Sequence, residues 1–317
     1  MLKCRWGSSC RGFADAVLSF IKCSFLFMVS KLSRTYSNVK RNLSVRARQA
    51  EDYYRYNLSK NGLPKIEVQI VDQCNLNCRG CSHFCGIADR VFYDLPQFEK
   101  DMNRLKRLFK KINKIKLLGG EPFLHPELIS FIRIARDCFP LSDIVVVTNG
   151  ILLPKVEPVF WSVCKEKNTA IEMSVYPPLQ NKVSYYRELA KQNGVAFKSS
   201  KIKWFFTARI NPEGDSDMKK AFNACRNNYF VPFLKDGAIY SCAISYAVRY
   251  YNKRFDKNIA ESKGLDIYKS TSREIIDYLS RPIETCRWCA EFSPEFSWSS
   301  GKQEIEEWHI NTYKNSV

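Results

Sequence analysis

Apolar and polar residues alternate from position 65 to position 72, with Ile66, Val68 and Ile70 on one side and Glu67 and Gln69 on the other. This period of two predicts a half-buried β-strand. Downstream, apolar residues recur every three to four positions, which predicts helices over 95–111, 125–139, 154–168 and 183–194. The segments between these helices predict further strands over 115–118, 143–147, 170–176, 195–199 and 203–210.

Strands that alternate with helices at this spacing are typical of a parallel sheet or barrel. Several of these strands place polar residues on the side that would face a lumen, namely Glu67, Gln69, Glu172, Ser174 and Tyr176. A closed eight-stranded barrel normally fills its interior with apolar side chains. The pattern therefore predicts an α/β fold with a partial, wider (β/α)6 TIM-like barrel that holds a polar ligand.

The alternation of strands and helices stops after residue 210. A hairpin is predicted over 229–244, turning at Asp236-Gly237, and a helix over 271–280. The turn signal Asn61-Gly62-Leu63-Pro64 marks a boundary before the first strand. The chain is thus expected to have an N-terminal arm (1–64), the barrel (65–210), a C-terminal domain (211–300) and a tail (301–317).

The N-terminal arm is strongly basic. The whole chain has a net charge of +18, and residues 1–64 hold twelve basic residues against three acidic ones. Its apolar stretch, residues 12–30, has Arg11, Asp15, Ser19 and Lys22 on one helical face, which favours an amphipathic helix over a membrane span. The arm could lie on an anionic membrane surface or on the protein itself, or be a solvated basic tail.

Cysteine usage indicates the compartment. The chain has thirteen cysteines and three histidines, and it shows no cleavable signal peptide. A long chain of this kind is not a secreted disulfide scaffold, and so few histidines exclude a His-rich metal enzyme. We therefore expect thiolate ligands and a cytoplasmic location, with peripheral membrane association through the arm left open.

The first cysteine group is Cys74, Cys78 and Cys81, a C-x3-C-x2-C set that begins just after the first predicted strand. Three thiolates on one tight loop can hold three corners of an iron–sulfur cube and leave the fourth iron open to a small molecule. A zinc site is the alternative, with His83 or Cys85 as the fourth ligand.

Further motifs follow in a fixed order: Gly119-Gly120-Glu121-Pro122 after the second strand, Thr148-Asn149-Gly150 after the third, and Ser174 on the fourth. With the cysteine loop, this order resembles the radical S-adenosylmethionine (radical SAM) superfamily over residues 65–210. The resemblance implies that Gly119, Gly120 and Glu121 bind the amino group of the S-adenosyl-L-methionine (SAM) methionine. It also implies that Ser174 contacts the ribose and that Asn149 faces the same mouth.

One position departs from the family. The residue before the third cysteine is usually an aromatic that touches the adenine, but here it is Gly80. Phe84 is the candidate that could replace this contact. By resemblance, Cys74, Cys78 and Cys81 hold a catalytic 4Fe–4S cluster that cleaves SAM reductively. The resulting deoxyadenosyl radical abstracts hydrogen from substrate, with an external one-electron reductant such as a flavodoxin or ferredoxin.

The second cysteine group is Cys225, Cys242, Cys286 and Cys289, with Gly237 five residues before Cys242. This spacing resembles the Twitch domain, the shorter relative of the SPASM domain that follows many radical SAM barrels. The resemblance implies a closed auxiliary 4Fe–4S cluster that transfers electrons. A Cys4 zinc site is the alternative that the spacing also permits.

These features together predict a radical SAM oxidoreductase that carries out a net, dehydrogenase-like oxidation of a sugar-like or other small molecule. Arg209, Tyr176 and Glu172 are candidate lumen contacts for that substrate. A peptide-modifying radical SAM maturase is the first alternative. The alternative from another class is a non-enzymatic zinc protein that binds nucleic acid, but no recognised nucleic-acid-binding motif accompanies the basic charge.

Overall fold

The computed structural model describes residues 62–228, 231–292 and 294–313, which all belong to one compact unit. The basic arm predicted over 1–64, with its amphipathic helix and membrane contact, lies outside the described residues except for its last three positions. Within the described part of the chain, no helix is long and apolar enough to cross a bilayer.

Five parallel strands alternate with four helices, as the periodicity predicts. The elements are β1 (Gly62–Val71), α1 (Leu95–Leu108), β2 (Lys111–Gly119), α2 (Leu128–Cys138), β3 (Asp143–Thr148), α3 (Pro158–Glu166), β4 (Thr169–Met173), α4 (Val183–Gln192) and β5 (Phe197–Ser199). They pair in the order β5-β4-β3-β2-β1. The α/β class with a mostly parallel sheet is therefore confirmed.

The main core lies between this sheet and its helices. Ile66, Val68 and Ile70 are fully buried, as the alternation predicts. Phe98 of α1 stacks at 4.5 Å, centroid to centroid, on Phe131 of α2, which joins the first two helices over the sheet. Complete burial of such a side chain stabilises the fold by about 1.5–3 kcal/mol.

The sheet continues beyond β1 in the other direction. Strand β7 (Phe233–Lys235) runs parallel to β1, with Phe233 opposite Glu67, and is followed by β8 (Ala238–Tyr240) and β9 (Leu265–Asp266). Asp236 and Gly237 both have positive φ, 47° and 76°, which is the type I′ geometry of a two-residue hairpin. The hairpin turn predicted at these residues is confirmed.

Three helices complete the described C-terminal half: α5 (Met218–Asn228), α6 (Ala243–Phe255) and α7 (Ser272–Leu279). Helix α7 begins with a capping box, in which Thr271 accepts a hydrogen bond from the backbone of Glu274 and the Glu274 carboxylate accepts one from Thr271. The helix predicted over 271–280 is thus confirmed to within a residue. Strands on both sides of the predicted boundary at residue 210 share one sheet.

The expectation of a sixth barrel strand over 203–210 is wrong. Residues Phe205–Thr207 form β6, which pairs antiparallel with β10 (Glu295–Ser297) in a separate two-stranded sheet. The reason is apolar burial, since Phe206 packs on Phe296 beside a small cluster of Ala208, Ala290, Ile310 and Tyr313. The main sheet ends at β5, and its sixth parallel strand is β7.

A buried ion pair fastens the β7 hairpin to β1. Lys235 of β7 and Asp72, which follows β1, are both fully buried, and their Nζ and Oδ1 atoms lie 3.3 Å apart. The other carboxylate oxygen accepts hydrogen bonds from the hydroxyls of Tyr246 and Tyr250 on α6. Gln69 donates to Oδ1 at 2.9 Å, so the charge is enclosed by donors from three elements.

Candidate functional site

The loop after β1 carries the first cysteine group. Cys74, Cys78 and Cys81 are free thiols on a tightly turned backbone, in which the amide of Cys78 bonds the Leu76 carbonyl at 3.1 Å. The amide of Cys81 bonds the Cys78 carbonyl at 3.3 Å, which makes the next turn. All three thiols therefore lie at the carboxyl end of β1, next to the ends of the neighbouring parallel strands.

The electrostatics of this loop suit a cationic metal group. Burial raises the pKa of the Cys74 and Cys78 thiols to about 12, and the neighbouring Cys81 thiolate adds to both shifts. The pKa of Cys81 is lowered to about 6, chiefly because the Cys85 thiol donates a hydrogen bond to its sulfur. Three buried thiolates need a positive partner, and the iron ions of a cluster would supply it.

The two glycines after β2 allow a very close backbone approach. The Gly120 amide donates to the Val71 carbonyl at 2.9 Å, and a Cβ on Gly120 would lie 1.9 Å from the Gln73 carbonyl oxygen. A Cβ on Gly119 would lie 2.2 Å from the Val71 carbonyl oxygen. Only glycine fits at either position, so these residues press the end of β2 against the start of the cysteine loop.

Glu121 joins the second and third motifs. Its carboxylate is fully buried and accepts hydrogen bonds from the Thr148 hydroxyl at 2.7 Å and the Asn149 amide at 2.9 Å. Burial raises its pKa to about 7, although these hydrogen bonds act in the opposite direction. In this structure the carboxylate is thus held by the protein, and a direct contact with a SAM amino group stays a prediction.

Asn149 connects that carboxylate to the cysteine loop. Its side-chain amide donates to Asn75 Oδ1 at 2.8 Å and lies 3.6 Å from the Cys74 sulfur. Ser174 follows β4 directly, and its amide donates to the Thr148 carbonyl at 2.8 Å. The structure therefore brings the cysteine loop, the glycine motif, the Asn149 turn and Ser174 to the carboxyl ends of β1 to β4.

A comparison with protein families matches residues 68–175 to the Radical SAM superfamily model. Residues 68–175 form a radical SAM domain. The matched range contains all three cysteines and the motifs that follow β2, β3 and β4.

Curated relatives align with the radical SAM domain over short stretches. The GTP 3',8-cyclase of Peptoclostridium acidaminophilum is 32% identical over 89 residues, which covers 28% of this chain and 27% of the relative. That of Syntrophomonas wolfei subsp. wolfei is 38% identical over 93 residues, covering 27% of each chain. Molybdenum cofactor biosynthesis protein 1 of Bos taurus is 33% identical over 95 residues, covering 29% of this chain and 15% of the relative. The chain thus spans about a quarter or less of these relatives.

Solved structures show weaker similarity. BtrN in complex with AdoMet and 2-DOIA is 12% identical with a TM-score of 0.43, covering 73% of this chain and 98% of that one. Native anSMEcpe with bound AdoMet and Cp18Cys peptide is 18% identical with a TM-score of 0.35, covering 44% and 42%.

The face of the radical SAM sheet opposite its helices is charged, and we call it the polar face. It carries Glu67 of β1, Lys114 and Lys116 of β2, and Glu172 of β4. Lys116 Nζ lies 3.4 Å from Glu67 and 3.9 Å from Glu172, and Lys114 Nζ lies 3.1 Å from Glu172. Burial acts to raise the pKa of Glu172, but Lys116 and Lys114 outweigh it, and the net shift is downward.

The lysines of the polar face are functional candidates that sequence reasoning missed. Lys114 and Lys116 occur two residues apart in β2, so the same alternation that marked Glu67 could have found them. Lys203 gave no such signal, because it lies in the irregular segment between β5 and β6. Its amide donates to the Val175 carbonyl at 2.8 Å, which brings this segment back to the end of β4.

The C-terminal segment, residues 294–313, covers the cysteine loop, and the sequence showed no motif for this. Trp298 Nε1 donates to the Cys78 sulfur at 3.3 Å, and Trp308 Nε1 donates to the Cys81 carbonyl at 2.9 Å. The Gly301 amide bonds the Asn77 carbonyl at 2.8 Å. Two tryptophans in an otherwise polar tail were the available signal.

This cover explains the glycine before the third cysteine. Gly80 has φ +62°, and a Cβ there would lie 2.7 Å from the Phe296 ring and 2.8 Å from the Glu307 carbonyl oxygen. The expected replacement by Phe84 is not supported. That side chain is buried, with its ring 5.8 Å from the rings of both Tyr251 and Trp308.

The second cysteine group converges from three places in the chain: Cys225 on α5, Cys242 at the start of α6, and Cys286 and Cys289 in and after the 3₁₀ turn Glu284–Trp288. All four are free thiols. Burial raises the pKa of Cys225 to about 11 and that of Cys286 to about 12, and the other thiols of the group contribute to both shifts. The four are thus electrostatic neighbours.

Arg209 belongs to this group rather than to the lumen. Its Nη2 lies 3.6 Å from the Cys225 sulfur, and its charge acts to lower the pKa of both Cys225 and Cys289. The expected contact of Arg209 with a lumen substrate is therefore wrong, because its strand β6 left the main sheet. Across the described ranges, no three His, Cys, Asp or Glu side chains are already arranged to hold a metal ion.

Proposed function

We propose that this chain is a radical SAM enzyme, with a 4Fe–4S cluster on Cys74, Cys78 and Cys81 and with SAM bound at the carboxyl ends of β1 to β4. The observation that carries the proposal is the continuous junction from the Cys74 sulfur through the Asn149 amide to the buried Glu121 carboxylate. This junction connects the cysteine loop to the motifs after β2 and β3, the arrangement that both tasks require.

The chain's own residues prepare this site. Gly119 and Gly120 leave backbone free of side chains beside the cysteine loop, and Glu121 fixes that backbone through Thr148 and Asn149. The C-terminal segment excludes water from Cys78 and Cys81 on the opposite side. A bound cluster supplies the electron that cleaves SAM into methionine and a deoxyadenosyl radical, and an external flavodoxin- or ferredoxin-like reductant provides that electron.

A net oxidation is our proposal for the overall reaction. A sugar-like or other small alcohol would lose a hydrogen atom to the deoxyadenosyl radical, one electron to an auxiliary 4Fe–4S cluster, and its hydroxyl proton to solvent. The Cys225, Cys242, Cys286 and Cys289 thiols are the ligands available for that cluster. The support is their convergence and the positive charge of Arg209 beside Cys225, which stabilises thiolates.

Two other reactions are alternatives within the same class. The curated relatives are GTP 3',8-cyclases, so GTP is a candidate substrate to be tested directly. Modification of a peptide is the second alternative. A protein whose two cysteine groups hold structural zinc would make neither deoxyadenosine nor product, which separates that class from the enzyme.

The first experiment measures iron, sulfide and deoxyadenosine after anaerobic reconstitution of the full chain with dithionite and SAM. Wild type is expected to hold about eight irons and to form deoxyadenosine. Cys74→Ala, Cys78→Ala and Cys81→Ala should each abolish deoxyadenosine and leave about four irons. Cys138→Ala is the matched control, since this free thiol lies on α2 outside both groups. Colourless protein with bound zinc, or deoxyadenosine from all three variants, would overturn the proposal.

The second experiment tests the direction of the reaction. The double variant Cys286→Ala/Cys289→Ala should still cleave SAM but should form no oxidised product, because the substrate radical has no electron acceptor. Candidate substrates deuterated at a carbinol carbon should transfer deuterium to deoxyadenosine. Transfer from a peptide side chain would favour the maturase instead. Full product from the double variant would mean that the second group is structural.

A further inference from the structure

The polar face carries an unbalanced positive charge. Its two carboxylates are already engaged, Glu172 with Lys114 and Lys116, and Glu67 with Lys116. These four side chains are partly exposed, with between 15% and 29% of each accessible, so the face is open to a ligand. No carboxylate of the face remains for a further lysine.

Lys203 is that further lysine. It is partly buried, and among the described residues its ammonium has neither an acidic partner nor a hydrogen bond. Burial lowers its pKa, and the positive charge of Lys116 adds to the shift, while Glu172 and Cys78 oppose it. Lys203 therefore lies within electrostatic reach of both the polar face and the cysteine loop.

We propose that the polar face binds an oxyanion group of the substrate, a phosphate or a carboxylate, between Lys203 and Lys116. Such a group would form charge-assisted hydrogen bonds with both ammonium groups and would relieve their mutual repulsion. The inference rests on the proposed function, because it places the radical's substrate on this face. It narrows the substrate class from any small molecule to an anionic one.

Two other roles for Lys203 make different predictions. If its charge served the Cys78 thiolate, replacement would lower the iron content of the reconstituted protein. If it bound the carboxylate of SAM itself, replacement would weaken SAM binding and leave other anions unaffected. Substrate recognition requires that anion binding falls while iron content and SAM affinity remain.

The test is calorimetric titration of the reconstituted full chain with sodium pyrophosphate and, separately, with sodium succinate at low ionic strength. Lys203→Met should weaken binding of the preferred probe about tenfold or more, the loss expected for one charge-assisted hydrogen bond. Lys201→Met is the matched control, because this lysine is exposed two residues away and should change affinity less than about twofold. The control also accounts for anions bound by the basic arm.

A third variant is expected to act in the opposite direction. Glu172→Gln removes the carboxylate that now competes for Lys114 and Lys116, so it should tighten binding of the same probe. A structural role for the polar face would not produce tighter binding. Preference for pyrophosphate would identify a phosphate-bearing substrate, and preference for succinate a carboxylate.

The inference falls if neither probe binds wild type, if Lys203→Met matches Lys201→Met, or if Lys203→Met loses only iron or only SAM binding. Its failure is separate from failure of the proposed function, because the titration contains no SAM. Wild type that cleaves SAM without an anion site would leave the function standing alone. An anion site dependent on Lys203 in protein that cannot cleave SAM would leave only the site.

Discussion

Replacement of Lys235 by methionine is expected to destabilise the fold by about 3–5 kcal/mol, because it leaves a fully buried carboxylate without its counter-charge. Asp72 keeps its hydrogen bonds from Gln69, Tyr246 and Tyr250, but these donors are neutral. Since the pair joins β7 to the residue just before the cysteine loop, the loss should be felt by the whole sheet.

The magnitude follows from the geometry of the pair. Two unit charges 3.3 Å apart attract with about 5 kcal/mol at an effective dielectric of about 20. The cost of burying both charges is already included in the stability of wild type, so removing one partner forfeits the attraction and retains the other's cost. Salt should change the effect little, because neither group is exposed.

The assay is urea unfolding of the reduced, metal-free full chain, followed by circular dichroism. Lys253→Met is the control, since its ammonium pairs with Asp89 at 2.8 Å on the surface, and the expected loss is about 1 kcal/mol or less. The double variant Asp72→Asn/Lys235→Met should lose clearly less than the sum of its single variants. A loss below about 1 kcal/mol for Lys235→Met, or strict additivity in the double variant, would refute the reasoning.

Three further predictions concern the cysteine loop and its neighbours. Trp298→Phe removes the hydrogen bond to the Cys78 sulfur and should lower the midpoint potential of the reconstituted cluster by about 20–65 mV, measured by redox titration with iron content unchanged. Gly80→Ala should destabilise more than Gly194→Ala in urea unfolding. Both residues have positive φ, costing about 1–2 kcal/mol, but only at Gly80 would the Cβ meet rigid atoms within 3 Å. The raised pKa of Glu121, about 7, means that the folded state holds an extra proton between pH 4.5 and 7. The unfolding free energy of wild type relative to Glu121→Gln should therefore fall by about 3 kcal/mol over that interval and stay level above it, as measured by urea unfolding at each pH; a constant difference would contradict the assignment.

Much of the radical SAM half could be predicted from the sequence. Its strands and helices follow from residues close together in the chain: Ile66, Val68 and Ile70 show the period of two, and the apolar stripe of α1 the period of 3.6. The turn at Asp236-Gly237 and the capping box at Thr271 are equally local. The motif order also placed the candidate site correctly at the strand ends, because parallel strands end at one edge.

The pairing of distant segments could not be read in this way. Residues 203–210 have the pattern of a strand, but no local signal states which strand is the partner. The burial of Phe206 against Phe296, about ninety residues away in the chain, took β6 out of the main sheet and carried Arg209 to the second cysteine group. A strand's partner depends on the total apolar area buried, which is a property of the folded chain.

The sequence by itself therefore determined the elements of the first half, the three-cysteine loop and the family motifs, since these depend on spacing along the chain. The tertiary structure decided which distant residues meet them. It seated Trp298 on the Cys78 sulfur, set Lys203 beside the polar face, and paired Lys235 with Asp72. Each of these contacts joins residues more than eighty positions apart, and their free energy exists only once the chain has closed the loop between them.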